Sequence, residues 1–116
     1  MLTGIASVIH PSTDLATDTA FWQAALGIEP YFDQPFYVGF QIDGQEFGLD
    51  PDAAGEGLSY PVVYWHTTDI AATIVSLSAA GARINGQPRD VGQGVMLATL
   101  RDASGNLFGL LQRPTD

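Results

Sequence analysis

Hydrophobic and polar positions follow one order along the chain, and that order occurs twice. The apolar runs GIASVI, from Gly4, and PVVYW, from Pro61, are rich in β-branched and aromatic residues, which predicts strands. Each run is followed by STD or TTD, residue types that cap a helix, and then by apolar residues three or four positions apart. The pattern therefore predicts a strand and then an amphipathic helix at the start of each half.

Further strands are predicted after each helix. Glycine in LGI and AGARI predicts the helix ends, because glycine accepts the left-handed conformation found just past a helix. The candidate strands are PYF, FYVGFQI and EFGLD in the first half and RING, GVMLATLRD and NLFGLLQR in the second. DG at Asp43 and DASGN from Asp102 are turn sequences. The order β-α-β-β-β, present twice, predicts an α+β fold of two tandem modules.

The two halves are also similar residue by residue. Ser7–Trp22 aligns without a gap on Val62–Leu77, which places Asp14 on Asp69 at the start of each predicted helix. EFGLD in the first half resembles LFGLL in the second. We predict a single domain over 1–116, with module 1 at about 1–50, a connector at 51–59 and module 2 at about 60–114.

Composition and charge restrict the function. The 116 residues contain no cysteine, which excludes disulfides and thiolate metal sites, and the 46% hydrophobic content is typical of a globular fold. The formal net charge is −9, lysine is absent, and no arginine precedes Arg83, so nucleic acid is not an expected partner. The negative charge would attract cationic ligands, or it would serve only to keep the protein soluble. No signal peptide or membrane span is evident, which predicts a soluble, cytoplasmic protein.

Two motifs within the repeat carry a family resemblance. TDL begins the first predicted helix at Thr13, and DxxGNxxGL forms a closing hairpin from Asp102 to Leu110. With the duplicated βαβββ order, the chain resembles the vicinal oxygen chelate superfamily over Ile5–Pro114; this group includes glyoxalase I, extradiol dioxygenases and bleomycin-resistance proteins. The resemblance implies two modules that form a curved mixed sheet around a cleft, a small-molecule ligand, and a homodimer.

The family's metal ligands correspond to four positions of this chain. The first-strand ligand, usually His, lies seven residues before the helix-start Asp, which gives Ser7 and Val62; the last-strand ligand, usually Glu, corresponds to Gly48 and Gly109. These residues cannot provide the His/Glu set for a divalent cation, so we expect no metal and no cofactor. Glyoxalase I and extradiol dioxygenase activities are therefore not expected. The two glycines indicate either close approach of a ligand or relief of strand curvature.

Alternation along the strands extends the predicted site from those four positions. The aromatic-rich segment PYFDQPFYVGF suits either a wall for a planar ligand or the core. Residues on the opposite strand face, His10 and Trp65 among them, are expected to pack under the helices. The predicted ligand contacts are Ser7, Ile9, Pro11, Tyr37, Phe40, Glu46, Gly48, Asp50, Val62, Tyr64, His66 and Gly109.

His66 and Tyr64 are the candidate catalytic residues. The imidazole of His66 suits ligand contact or proton transfer near neutral pH, and the Tyr64 hydroxyl could orient a substrate, although both residues could simply be structural. Glu46 and Asp50 could hold a cation or act as a base, or could be solvated carboxylates.

Three functions fit these observations. The first is a metal-independent small-molecule binding protein of the glyoxalase/bleomycin-resistance type, which sequesters an aromatic or cationic ligand. The alternative is a metal-free isomerase, lyase or cyclase of the same fold in which His66 and Tyr64 transfer protons. The third is a regulatory or structural domain, and the fold alone does not choose among them.

Overall fold

The computed structural model describes residues 2–52 and 60–114, and most of the predicted connector, 53–59, lies outside the described residues. Its architecture is α+β, with the order β-α-β-β-β present twice as predicted. The elements are β1 (Leu2–Pro11), α1 (Leu15–Leu26), β2 (Phe32–Gln34), β3 (Tyr37–Ile42), β4 (Gln45–Asp50), β5 (Val62–Thr67), α2 (Ile70–Ala79), β6 (Arg83–Asp90), β7 (Met96–Arg101) and β8 (Leu107–Gln112). Within the described residues, no helix is long and apolar enough to cross a membrane.

The chain divides into two compact units, and the first unit is Ser7–Val62. Its strands are ordered β2-β3-β4-β1, with β1 parallel to β4 and the other neighbours antiparallel. Helix α1 covers one face of this sheet. The core between them consists of Val38, Phe40, Phe47 and Leu49, against which Val8, Leu15, Trp22, Leu26 and Ile42 pack.

The second unit consists of Met1–Ala6 with Val63–Asp116. Here the order is β1-β5-β8-β7-β6, with β5 parallel to β8 and the pairs β7–β8 and β6–β7 antiparallel. The β6–β7 pairing shifts register on both sides of Gly86. Helix α2 packs on this sheet over a core of Ile70, Ala98, Leu100 and Leu110, with Trp65, Ile74, Leu77, Ala82, Met96 and Phe108 around it.

Both strand-to-helix junctions have the same hydrogen-bonding pattern. Asp14 and Asp69 cap their helices as predicted, since each carboxylate accepts a backbone N–H from the first turn. A second hydrogen bond joins the end of the strand to the helix. In the first unit the Ser12 hydroxyl donates to the Asp18 carboxylate at 2.6 Å. In the second unit the hydroxyls of the repeat-equivalent residues Thr67 and Thr73 share a hydrogen bond of 2.6 Å.

His10 packs under α1, as expected from strand alternation. Its ring lies edge-on to Trp22, with centroids 5.6 Å apart, and to Phe47 at 4.7 Å. Burial lowers the pKa of His10, against the opposing effect of the Asp18 charge. This histidine therefore belongs to the aromatic core of the first unit.

Candidate ligand-binding site

A polar cluster lies on the sheet face of the first unit that is opposite α1. Because strand side chains alternate, Tyr37, Gly39 and Gln41 of β3 point away from the core residues Val38 and Phe40. Cross-strand pairing brings Gln41 opposite Glu46 and Gly39 opposite Gly48. The backbone N–H of Tyr31 donates to the carbonyl of Gly39 at 3.0 Å, which fixes Tyr31 at the edge of this face.

The carboxylate of Glu46 is the centre of the cluster. One carboxylate oxygen, Oε1, accepts hydrogen bonds from the Tyr31 hydroxyl at 2.6 Å and from Gln41 Nε2 at 3.0 Å, and Oε2 accepts one from the Tyr37 hydroxyl at 2.5 Å. Hydrogen bonds to a carboxylate are stronger than those between neutral groups, so three of them orient it firmly. No Lys or Arg precedes residue 83, so neither type in the first unit balances this negative charge.

Tyr37 reaches Glu46 by crossing over Gly48. A Cβ placed on Gly48 would overlap the Tyr37 hydroxyl and ring, so only glycine leaves room for this phenol. A Cβ on Gly39 would lie 2.7 Å from Glu46 Oε2, and therefore the carboxylate also depends on a glycine. Burial, followed by the hydrogen bond and charge of Glu46, raises the pKa of Tyr37 well above its ordinary value. Tyr37 is thus a neutral hydrogen-bond donor rather than a base.

Aromatic rings extend from this carboxylate along β2 and the following turn. Phe32 pairs with Gly39 and so shares the face of Glu46. Its ring centroid lies 6.4 Å from that of Tyr31, 5.9 Å from Phe36 and 6.1 Å from Tyr37. Tyr31 and Phe36 are 58% and 61% exposed, and Phe32 is 37% exposed, so their rings are accessible. We refer to Tyr31, Phe32, Phe36, Tyr37 and Glu46 as the Glu46 site.

In the second unit, Tyr64 covers Gly109 in a similar manner. The two residues are direct partners in the β5–β8 pairing, and a Cβ on Gly109 would overlap the Tyr64 ring. Tyr64 is only 4% exposed. Its ring therefore fills the position that the sequence suggested was open for a ligand.

His66 lies two residues after Tyr64 on β5 and is half-buried. Its backbone carbonyl accepts a bond from the Thr3 hydroxyl at 3.4 Å, which connects it to β1. Burial, and then the positive charge of Arg113, lowers the pKa of His66 below 6.5. The imidazole is therefore mainly neutral at neutral pH, the form that can accept a proton.

The residues at the four positions that the sequence resemblance assigned to metal ligands do not fit a divalent cation. Gly48 and Gly109 each lie beneath a tyrosine ring, and Val62 is 1% exposed and carries no donor atom. Ser7, the fourth, is buried and offers only a hydroxyl. Across residues 2–52 and 60–114, no three His, Asp or Glu side chains come together in a metal-binding group.

The predicted contacts are distributed over both units. Ser7, Ile9 and Pro11 of β1 pair with Glu46, Gly48 and Asp50 of β4 on the face of the Glu46 site, as alternation implied. The Asp50 carboxylate accepts the N–H of Asp52 at 2.8 Å, so it also holds the turn after β4. The predictions for Val62, Tyr64, His66 and Gly109 concern residues outside this cluster.

The assignment of Phe40 as a ligand contact is wrong. Phe40 is 0% exposed and packs in the core beneath α1. It lies three residues from Tyr37, and an odd spacing along a strand places two side chains on opposite faces. For Tyr31, Phe32 and Phe36 the aromatic segment left both a ligand wall and the core open, so they were not among the predicted contacts. Gln41 was not predicted, although its even spacing from Tyr37 was a usable signal.

Comparison with known proteins identifies the fold. No protein-family model matches the sequence, and no curated protein matches it significantly. A variant of Streptomyces coelicolor methylmalonyl-CoA epimerase, in complex with 2-nitronate-propionyl-CoA, superposes with a TM-score of 0.78 at 20% identity over 99% of this chain and 100% of that one. The epimerase from Mycobacterium tuberculosis gives a TM-score of 0.72 at 16% identity, over 98% of this chain and 90% of the other.

A third structure, described as an NAD-dependent benzaldehyde dehydrogenase from Legionella pneumophila, has a TM-score of 0.77 at 14% identity and covers 93% of this chain and 98% of that one. At these identities the similarity concerns the fold. The epimerases are vicinal oxygen chelate enzymes, and this chain superposes on them over nearly its whole length. The chain therefore has the vicinal oxygen chelate fold that its sequence motifs predicted.

Proposed function

We propose that this protein binds a cationic small molecule with aromatic or apolar character at the Glu46 site, without a metal. The observation that carries the proposal is the Glu46 carboxylate, which three side-chain donors orient beside accessible aromatic rings. No lysine or arginine of the first unit balances its charge. A positively charged ligand would balance the Glu46 charge.

Electrostatic attraction and aromatic contacts both favour such a ligand. An oriented carboxylate at a partly buried position attracts a cation more strongly than one in bulk water, because the local dielectric constant is lower. Aromatic faces attract cations through their quadrupoles and also bury apolar ligand surface. The net charge of −9 raises the local concentration of cations around the whole protein.

The proposal separates this chain from its structural neighbours in ligand chemistry. The Streptomyces epimerase complex contains a coenzyme A derivative, whose phosphates are anionic. Glu46 would repel such a group. A homodimer, a cytoplasmic location and a sequestration role remain predictions from the sequence.

The test is titration with a planar monocationic dye, acridine orange, followed by fluorescence anisotropy in buffer containing a chelator. We expect saturable binding that Glu46→Gln weakens by about tenfold or more, equivalent to ~1.4 kcal/mol. Asp33→Asn is the matched control: it removes one negative charge from β2 of the same unit, but Asp33 points to the opposite sheet face. Equal affinity of both variants and the wild type, or binding that needs a divalent metal, would disprove the proposal.

One observation supports the alternative of a metal-free isomerase, lyase or cyclase. The lowered pKa of His66 makes its imidazole available as a base at neutral pH. Tyr64, its predicted partner, is buried over Gly109, so this alternative depends mainly on His66. Deuterium uptake at the α-carbon of methylmalonyl-CoA in D₂O, present in the wild type and lost in His66→Gln, would favour it over simple binding.

A further inference from the structure

We infer that the Glu46 site recognises a quaternary ammonium group in preference to a protonated amine. The inference rests on the proposed function, since it specifies the class of cation that the same site takes. It follows from the hydrogen-bonding capacity of Glu46, from the arrangement of the aromatic rings and from the exposure of those rings.

Glu46 has little acceptor capacity left for a ligand. A carboxylate offers about four lone-pair positions, and the Tyr31 hydroxyl, the Tyr37 hydroxyl and the Gln41 amide already occupy three. A primary ammonium group carries three N–H donors that must exchange water for new acceptors on binding. A quaternary ammonium group has no N–H donor, so it keeps the Coulomb attraction to Glu46 and leaves no hydrogen bond unmade.

The aromatic rings offer faces in several directions rather than one slot. Phe32 is inclined by 54° to Tyr31, by 66° to Phe36 and by 54° to Tyr37. Near-parallel rings would favour a flat ligand, whereas mutually inclined rings can contact the methyl groups around a tetrahedral nitrogen. Aromatic cages recognise quaternary ammonium ligands by this cation–π attraction.

The hydrogen bonds and the rings reinforce each other. Tyr31 and Tyr37 both donate their phenolic protons to Glu46, which shifts electron density toward their rings. Tyr31 and Phe36 remain more than half exposed, so a ligand can reach ring faces without a rearrangement of the core. The negative charge of Glu46 and the aromatic ring faces therefore attract the same cation.

The test compares benzyltrimethylammonium with benzylammonium, which share one ring and one positive charge. Isothermal titration should show the quaternary ion binding about tenfold or more tightly, with Glu46→Gln weakening both. Phe32→Leu keeps apolar volume but removes the central ring, and should reduce the preference to about threefold or less. Phe21→Leu is the control, since Phe21 is also an exposed aromatic but lies on α1; circular dichroism confirms that each variant is folded.

The outcomes separate the two proposals. Equal affinity for both ions, weakened alike by Glu46→Gln, would overturn the quaternary ammonium inference and leave the cation-binding function standing. A preference that persists in Phe32→Leu would also overturn the inference, because the rings would not be its source. Absence of binding by either ion, and by acridine orange, would overturn both.

Discussion

At the scale of single residues, each unit packs a tyrosine ring over a strand glycine, but the two tyrosines come from different strands of their units. The sequence resemblance assigned Gly48 and Gly109 to last-strand metal-ligand positions, and each glycine lies under a tyrosine ring. Tyr37 reaches Gly48 from the antiparallel neighbour β3, whereas Tyr64 reaches Gly109 from the parallel neighbour β5. In the sequence repeat Tyr64 aligns with Ile9 rather than with Tyr37. These glycines therefore serve close tyrosine packing, which neither interpretation of the sequence had included.

Gly48→Ala tests this packing. The new methyl group would overlap Tyr37, so the phenol must move and lose its hydrogen bond to Glu46; we expect a loss of about 1–3 kcal/mol in the free energy of unfolding. Urea denaturation measures that loss, and acridine orange affinity should fall with it. Introducing Gly48→Ala into a Tyr37→Leu background should cost much less, because the clash is absent.

The control for this substitution is Gly86→Ala, also in a strand, where the nearest atom to a Cβ is Thr99 Oγ1 at 3.2 Å. It should cost less than Gly48→Ala. A Gly48→Ala protein as stable as the wild type, with unchanged dye affinity, would show that Tyr37 does not need the space above Gly48.

At the scale of elements, the sequence predicted the type and order of the helices and strands better than their lengths or the sheet face on which each side chain lies. The capping Asp residues set both helix starts correctly, because a cap depends only on local backbone and side chain. Strand lengths depend on pairing with neighbours. GIASVI is thus only part of Leu2–Pro11, and RING is only the start of Arg83–Asp90.

The Glu46 site shows why the contacts of the candidate site could not all be predicted from the sequence. Its key bonds join Glu46 to Tyr37 and Tyr31, nine and fifteen positions away. The two-residue turn at Asp43 and Gly44 sets the β3–β4 register locally. The bend before β2 that places Tyr31, and the path of the Tyr37 side chain over Gly48, are not determined by local patterns. Alternation from Gly48 did place Glu46 on the correct face, but the density of aromatic residues alone could not separate buried Phe40 from exposed Phe36.

Substitution of Thr73 tests the junction between β5 and α2. Thr67 and Thr73 are both buried and share a hydrogen bond of 2.6 Å. Thr73→Val keeps the shape but leaves the Thr67 hydroxyl without this partner, so we expect a loss of about 1–3 kcal/mol on urea denaturation. Thr68→Val, at an exposed neighbouring position, should change stability by less than about 0.5 kcal/mol. Equal effects of the two substitutions would refute a role for the Thr67–Thr73 bond.

At the scale of the whole molecule, charge is divided between the units in sequence and in structure. All four arginines lie in Val63–Asp116, while Ser7–Val62 has acids but no Lys or Arg. Each unit also contains one histidine, His10 in the first and His66 in the second, and burial is the main cause of a lowered pKa at both. Protonation of either histidine is therefore less favourable in the folded chain than in the unfolded chain.

This difference predicts the pH dependence of stability. Between the lowered folded pKa values and the unfolded value of 6.5, the unfolded chain binds more protons, so the free energy of unfolding falls as pH decreases below 6.5. Above that value the histidines contribute no slope. Hydrogen bonds lower the pKa of Asp14 and Asp102 from 3.8, and their contribution is lost separately, as pH falls below 3.8. Urea denaturation at pH values from about 8 to 3 should show both declines.

Substitutions distinguish the two ranges of pH. His10→Phe combined with His66→Gln should flatten the decline that begins as pH falls below 6.5, because neither replacement titrates there. Phenylalanine also keeps an aromatic ring beside Trp22 and Phe47. Asp102→Asn should leave that upper decline unchanged and reduce the one below about pH 4, since it removes a carboxylate that accepts N–H bonds from Ser104 and Asn106. An upper decline that survives in the double histidine variant would mean that other groups govern stability near neutral pH, and the burial of the two imidazoles would then have no measurable consequence for folding.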